Sequence, residues 1–306
     1  MNMPSWNEIL AKTHQLSNVY DNIRRDYLRE LADKTGRNTI IYYSGWLQKG
    51  QLQEKGYRFD IVDSDKMGFM STVKNLDKKK GLDIVLHTPG GSIAATESIV
   101  HYLKSLFGNN IRAIIPQIAM SAGTMMALSC KEIIMGKHSN LGPIDPQLRG
   151  IPTHGVIEEF NKAKEEIKAD PSRIPAWQVI LSKYSPTLIG ECQKAITWAE
   201  KMVENWLLTN MFKDEINKTE IVNKIKKELG SHAFTMSHDR HIHMETLRDD
   251  LKIKIIELEK NDELQDAVLS VHHSSIITLT QTPAIKIIEN QDGKAFIQMA
   301  NTRSPN

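Results

Sequence analysis

Between residues 82 and 135 three short apolar runs, Leu82-Asp-Ile-Val-Leu-His87, Ile111–Ile118 and Ile133-Ile134-Met135, alternate with segments of helical periodicity. Each run is too short for a core helix and too continuously apolar for a strand with one wet face. Each therefore reads as a strand buried on both sides. Ser92 to Phe107 places Ile99, Val100, Leu103 and Leu106 on one side of a helix, and Ser121–Ser129 reads as a second helix. Strands alternating with helices at this spacing need right-handed crossovers, a mostly parallel sheet and helices over its faces. That confines the chain to α/β architectures.

The flanks extend the pattern. Residues 1–37 are helical and amphipathic, with Trp6, Ile9, Leu10, Ile23, Tyr27, Leu28 and Leu31 at helical spacings and Gly36 as a stop. Asn38-Thr-Ile-Ile-Tyr-Tyr-Ser-Gly45 is β-branched and aromatic, hence a strand. A helix carrying Met67, Phe69, Met70, Val73 and Leu76 follows Asp65. Residues 155–228 change character to charged, amphipathic helices broken at Pro171, Pro175 and Pro186. Ala284–Ile288 and Ala295–Met299 flank Asn290-Gln-Asp-Gly293, the pattern of a β-hairpin. The expected organisation is an N-terminal helical segment (1–37), an α/β core (38–150), a helical arm (151–245) and a C-terminal segment with the hairpin (246–306).

Composition removes several classes of function. Lys+Arg is 39 against 37 for Asp+Glu, so nothing in the overall charge favours nucleic acid or an anionic membrane as partner. Two cysteines, Cys130 and Cys192, cannot build a disulfide framework, which favours a reducing, cytoplasmic setting. No basic segment followed by an apolar core opens the chain, so no secretory leader is expected. Ile111 to Leu128 is broken by Arg112, Pro116, Gln117, Ser121 and Thr124, too polar for a membrane span of about 20 residues.

Chemistry concentrates in residues 87–146, where strand ends meet helix starts and where open α/β sheets place their ligands. His87-Thr-Pro-Gly-Gly-Ser92 puts the N–H groups of Gly90 and Gly91 at a helix N-terminus, as an oxyanion or anion site requires. A tight turn needing glycine dihedrals explains the same residues. Ala119-Met-Ser-Ala-Gly123 sets Ser121 on a sharp strand-to-helix turn, like a nucleophile elbow with alanine for the first glycine. A simple N-cap serine is the competing explanation. Together the two turns place a hydroxyl nucleophile beside oxyanion donors, the requirement of acyl transfer. Gly90, Gly91 and Met120 are the expected substrate contacts.

Leu86-His-Thr-Pro-Gly-Gly-Ser92, Met120-Ser-Ala-Gly-Thr-Met-Met-Ala-Leu128 and His138-Ser-Asn-Leu-Gly-Pro-Ile-Asp-Pro-Gln147 resemble the serine dehydrogenase proteinase family. That family belongs to the Clp-protease/crotonase-like superfamily, with signal peptide peptidase A. Thr35–Leu47 and Pro283–Asn290 resemble its opening and its close. The resemblance implies the spiral Clp/crotonase fold and a serine peptidase, and no dinucleotide fingerprint G-x-G-x-x-G argues otherwise. It also implies Ser121 as nucleophile, with the N–H groups of Gly91 and Ala122 as oxyanion donors. Clp proteases carry a histidine about 25 residues after the serine; here Asp145 stands at that place, 24 residues on. Other branches of the superfamily use a lysine from a later helix.

Lys194 is the first candidate for such a base. Glu191-Cys-Gln-Lys-Ala-Ile-Thr197 starts a helix, and the positive end of its dipole would disfavour the ammonium form. A lysine serves as base only when burial or a nearby cation depresses its pKa from about 10.4. Lys162, Lys164, His138, His154 and Asp145 are the alternatives. His238, His241 and His243 form His-x-x-His-x-His, a spacing able to bind zinc, but no cysteine or second cluster completes a site, so no metal and no cofactor is expected. Trp177, Trp198 and Trp206 occupy apolar helical positions and read as core or interface.

The expectation is a cytoplasmic serine endopeptidase of Ser–Lys type, acting on peptides or unfolded proteins without metal or nucleotide. By analogy with ring- and trimer-forming relatives it is a homo-oligomer, with room for a separate partner that delivers substrate. A crotonase-type acyl-thioester enzyme and a catalytically silent oligomeric scaffold are the alternatives.

Overall fold

The computed structural model describes residues 19–148, 150–231 and 236–301. The leading residues Trp6, Ile9 and Leu10 therefore lie outside the described part. Seven strands form one sheet: β1 (Asn38–Ser44), β2 (Leu82–His87), β3 (Ile111–Ile115), β4 (Glu132–Met135), β5 (Ile255–Glu257), β6 (Ala284–Asn290) and β7 (Ala295–Met299). Their spatial order is β5-β4-β3-β2-β1-β6-β7. From β5 to β1 every pairing is parallel, whereas β6 runs antiparallel to both β1 and β7. The fold is thus mixed α/β with a mostly parallel sheet, consistent with the Clp-like architecture. The C-terminal hairpin does not stand apart: it completes the same sheet as the core strands.

Strand alternation divides the core into two layers. Ile40, Tyr42, Ile84, Leu86, Ala113 and Ile133 join the layer beneath the helices Ile93–Phe107 (α2), Ala122–Leu128 (α3) and Leu188–Trp206 (α4). Ile41, Tyr43, Val85, Ile114 and Ile134 face the opposite layer, closed by the helices Val19–Thr35 (α1) and Asp262–Gln281 (α5). Both faces of the central strands are covered, which is why their sequences are continuously apolar.

Three local readings are corrected. The run Ile111–Ile118 is not one strand. β3 stops at Ile115, Pro116 has no N–H to continue the ladder, and Ile118–Ala119 re-pairs with Asn140–Leu141 in a separate three-stranded sheet. This step out of the main sheet carries the chain to Ser121. Pro175 does not break a helix: it occupies the first turn of Ile174–Leu181, where its missing N–H costs nothing. Helix α4 starts at Leu188 rather than Glu191, so Lys194 sits in its second turn.

Helix α5 escapes a hydropathy reading because its buried surface includes Ser270, His272, Ser274, Ser275 and Thr278. The hydroxyls of Ser274, Ser275 and Thr278 return hydrogen bonds to backbone carbonyls one turn earlier, which makes their burial tolerable. The arm exposes Ile174, Val179 and Ile180. Among the described residues, no helix is long and apolar enough to cross a membrane.

Candidate active site

The two turns picked out in the sequence touch. Thr88 and Ala119 form a parallel bridge, with Thr88 N–H donating to Ile118 C=O and Met120 N–H donating to Thr88 C=O. Ser121 then adopts φ 51° and ψ −116°, a left-handed conformation that costs a non-glycine residue on the order of 1–3 kcal/mol. Its side chain makes no capping hydrogen bond to α3, so it is not the N-cap that serine commonly provides. Ser121 instead lines a cavity of about 710 Å³.

Glycine is required at both positions of the facing turn. Gly90 has φ +95°, and a Cβ there would lie 2.7 Å from both Ser121 Cβ and the Met120 carbonyl oxygen. Gly91 has φ +154°, and a Cβ there would lie 2.3 Å from the Ile61 nitrogen. Gly90 N–H is taken by the Thr88 hydroxyl at 3.1 Å. Gly91 N–H makes no hydrogen bond among the described residues, and Gly91 lines the cavity. Ala122 opens α3, so its N–H has no intrahelical partner.

Across the cavity stands a pair that the sequence reading did not assemble. His238 Nδ1 lies 2.9 Å from Asp145 Oδ1, and both residues line the cavity that holds Ser121. Asp145 is 1% exposed and His238 17% exposed by side chain. The Asp145 loop is tied to two helices: Gly142 N–H donates to the Thr124 hydroxyl on α3, and Ile144 N–H donates to Leu229 C=O on the helix Lys218–Gly230. Ser121 and His238 both line this cavity, and no direct hydrogen bond joins them. Apolar walls come from Met125, Ile144, Leu148, Ala195 and Trp198, with the charged pair Arg58–Asp60 on another side.

The other candidate bases lie elsewhere. Lys194 is exposed and does not line the cavity, although its neighbours on α4, Ala195 and Trp198, do. Lys162 is exposed and 4.0 Å from Glu166, and Lys164 is exposed on the arm. None of the three lines the cavity that holds Ser121. His138 sits 3.9 Å from Glu259 and lines an adjoining cavity of about 440 Å³ with Met120, which is therefore beside the main cavity rather than in it. His154 is half-buried in the first turn of the helix Thr153–Ala169, outside the cavity.

Asp145, at the position that matches the Clp-protease histidine and one of the alternative bases, lines the cavity as the hydrogen-bond partner of His238. The signal for His238 was its place in His-x-x-His-x-His together with a carboxylate, Asp145, where Clp proteases carry histidine. Among the described residues, no group of three or more His, Cys, Asp or Glu side chains is placed to hold a metal ion. Trp198, read as core or interface, is 42% exposed at the cavity wall and donates through Nε1 to Glu97.

His87, just upstream of the glycine turn, is fully buried against Trp46, Tyr43 and His272 with neither ring nitrogen hydrogen-bonded. Burial pushes its pKa down to about 3, so the ring stays neutral packing. Cys130 is likewise buried, its thiol pushed up to about 12 by desolvation, and is no nucleophile.

A 205-residue stretch is 30% identical to an uncharacterized protein of Methanocaldococcus jannaschii, covering 67% of this chain and 65% of that one. A 181-residue stretch is 29% identical to a second uncharacterized protein of the same organism, covering 59% and 56%. The matches thus span less than two thirds of either relative's length. A family model described as ClpP-like SDH-type serine proteinase matches residues 9–265, and the chain belongs to that family.

Proposed function

We propose that the chain is a serine peptidase whose base is His238, oriented by Asp145. The observation that carries this reading is the 2.9 Å Asp145–His238 pair in the same cavity as the strained Ser121. With Nδ1 facing the carboxylate, His238 keeps Nε2 for the serine, the arrangement that makes an imidazole a base. Ser121 Oγ attacks the peptide carbonyl as its proton passes to His238 Nε2. The carbonyl electron pair moves onto oxygen, where Gly91 and Ala122 N–H groups stabilise it. The intermediate collapses by breaking the C–N bond, and His238 returns the proton to the departing amine. Water, deprotonated by the same imidazole, then releases the acyl group and restores Ser121.

The substrate is a peptide or an unfolded protein chain, cut internally. An open cavity with apolar walls accepts a side chain next to the scissile bond. The test is cleavage of casein and of a fluorogenic peptide library, alongside labelling by a fluorophosphonate. Labelling and cleavage that both vanish in Ser121→Ala and in His238→Ala support the reading. Normal turnover in Ser121→Ala would favour crotonase-type chemistry, which needs no serine nucleophile.

A further inference from the structure

Ile61 is the backbone partner of the glycine turn. Its N–H donates to Gly90 C=O at 2.7 Å, and its C=O accepts from Ser92 N–H at 2.9 Å. In this parallel bridge the residue opposite, Gly91, turns its own N–H and C=O away from Ile61. The direction of the Gly91 N–H therefore depends on where the Ile61 backbone lies.

Both neighbours of Ile61 are held by buried groups that lie outside the cavity. Lys286 Nζ donates to Asp60 C=O at 2.8 Å, and Val62 N–H donates to Asp65 Oδ2 at 3.0 Å. Lys286 and Asp65 form a 2.9 Å ion pair with both side chains 0% exposed. The Tyr42 hydroxyl donates to the same Asp65 oxygen at 2.8 Å. A buried ion pair is a poor source of stability, because desolvation offsets most of the attraction and apolar replacements are often neutral. What such a pair supplies is direction: a cation and an anion that grip a carbonyl and an N–H on either side of one residue.

We infer that Lys286, Asp65 and Tyr42 are positioning residues for the oxyanion site, fixing Asp60–Val62 and through Ile61 aiming the Gly91 N–H at the carbonyl attacked by Ser121. This rests on the peptidase reading for its catalytic consequence, though not for the geometry. The test uses Tyr42→Phe and the charge-neutral double variant Asp65→Asn/Lys286→Met. Peptide turnover is measured together with the Gly91 amide resonance in a 1H–15N spectrum. In both variants the Gly91 resonance moves. In the double variant kcat falls by about tenfold or more while KM stays within about twofold, because the misaimed donor acts on the transition state.

A purely structural role would lower the melting temperature and leave kcat and the Gly91 resonance unchanged below it; that outcome overturns the inference. Should the double variant not fold, Tyr42→Phe decides alone, with an unmoved Gly91 resonance overturning the inference. An inert wild type would instead sink the peptidase reading, and the resonance would still decide the positioning claim.

Discussion

Gly90 and Ser121 are packed so closely that no side chain fits between them: a Cβ on Gly90 would sit 2.7 Å from Ser121 Cβ. The nearest obstacles include the Met120 carbonyl and the Ala122 nitrogen, which are backbone and cannot swing aside. Gly90→Ala should therefore push the glycine turn off the nucleophile elbow and reduce peptide turnover by about a hundredfold. Gly36→Ala is the control. Gly36 also has positive φ, but nothing lies within 4 Å of its Cβ position, so only stability should fall. Steady-state kinetics and thermal melts of the two variants check this.

The base assignment separates two histories of the site. Asp145→Asn should lower kcat by about 10³–10⁴-fold with the fold intact, since the amide favours the wrong imidazole tautomer. Lys194→Ala should leave kcat within about twofold, because the amine is exposed and away from the cavity. A large loss in Lys194→Ala beside an active Asp145→Asn would restore the Ser–Lys dyad.

Strain at Ser121 predicts a trade between activity and stability. Ser121→Gly relieves the φ 51°, ψ −116° conformation, whereas Ser121→Ala keeps the Cβ and its strain. Both variants should be inactive. Denaturant unfolding should find Ser121→Gly about 1 kcal/mol more stable than Ser121→Ala, strain relief exceeding the extra chain entropy of glycine. A Ser121→Gly variant less stable than Ser121→Ala, by the chain entropy of glycine alone, would show that the turn stores no strain.

Acid should weaken the fold through His87. Its folded pKa of about 3 lies below the unfolded value of about 6.5, so the unfolded chain binds more protons between those limits. The contribution of the neutral buried ring is complete above pH 6.5 and is lost as pH falls toward 3. His272, also held well below the ordinary histidine range by burial, acts in the same direction. Urea midpoints measured from pH 7 to pH 4 should decline, and His87→Phe should flatten the decline. An unchanged slope in that variant would refute the assignment.

The strand–helix alternation of residues 82–135, both turns and the serine were legible because each depends on neighbours along the chain. Period, glycine placement and apolar run length are local signals, and they survive folding wherever burial is two-sided. Lys194 shows the limit of the same logic. A helix start displaced from Glu191 to Leu188 moves the lysine out of the first turn, and element ends are where local propensity discriminates least. Helix α5 was opaque for a different reason: its core face is built partly from hydroxyls that satisfy themselves on the backbone, and these look polar in sequence.

By itself, then, the amino-acid order determined the α/β class, the family and the pairing of a glycine turn with Ser121. Tertiary structure alone brought the Asp145–His238 pair into the cavity that Ser121 lines. Asp145 and His238 are 93 positions apart, and their contact exists only because the arm returns the chain to the mouth of the cavity. The physical reason is that a hydrogen bond depends on distance in space, whereas a sequence pattern reports distance along the chain. No period or motif in the sequence marks a contact between residues so far apart along the chain.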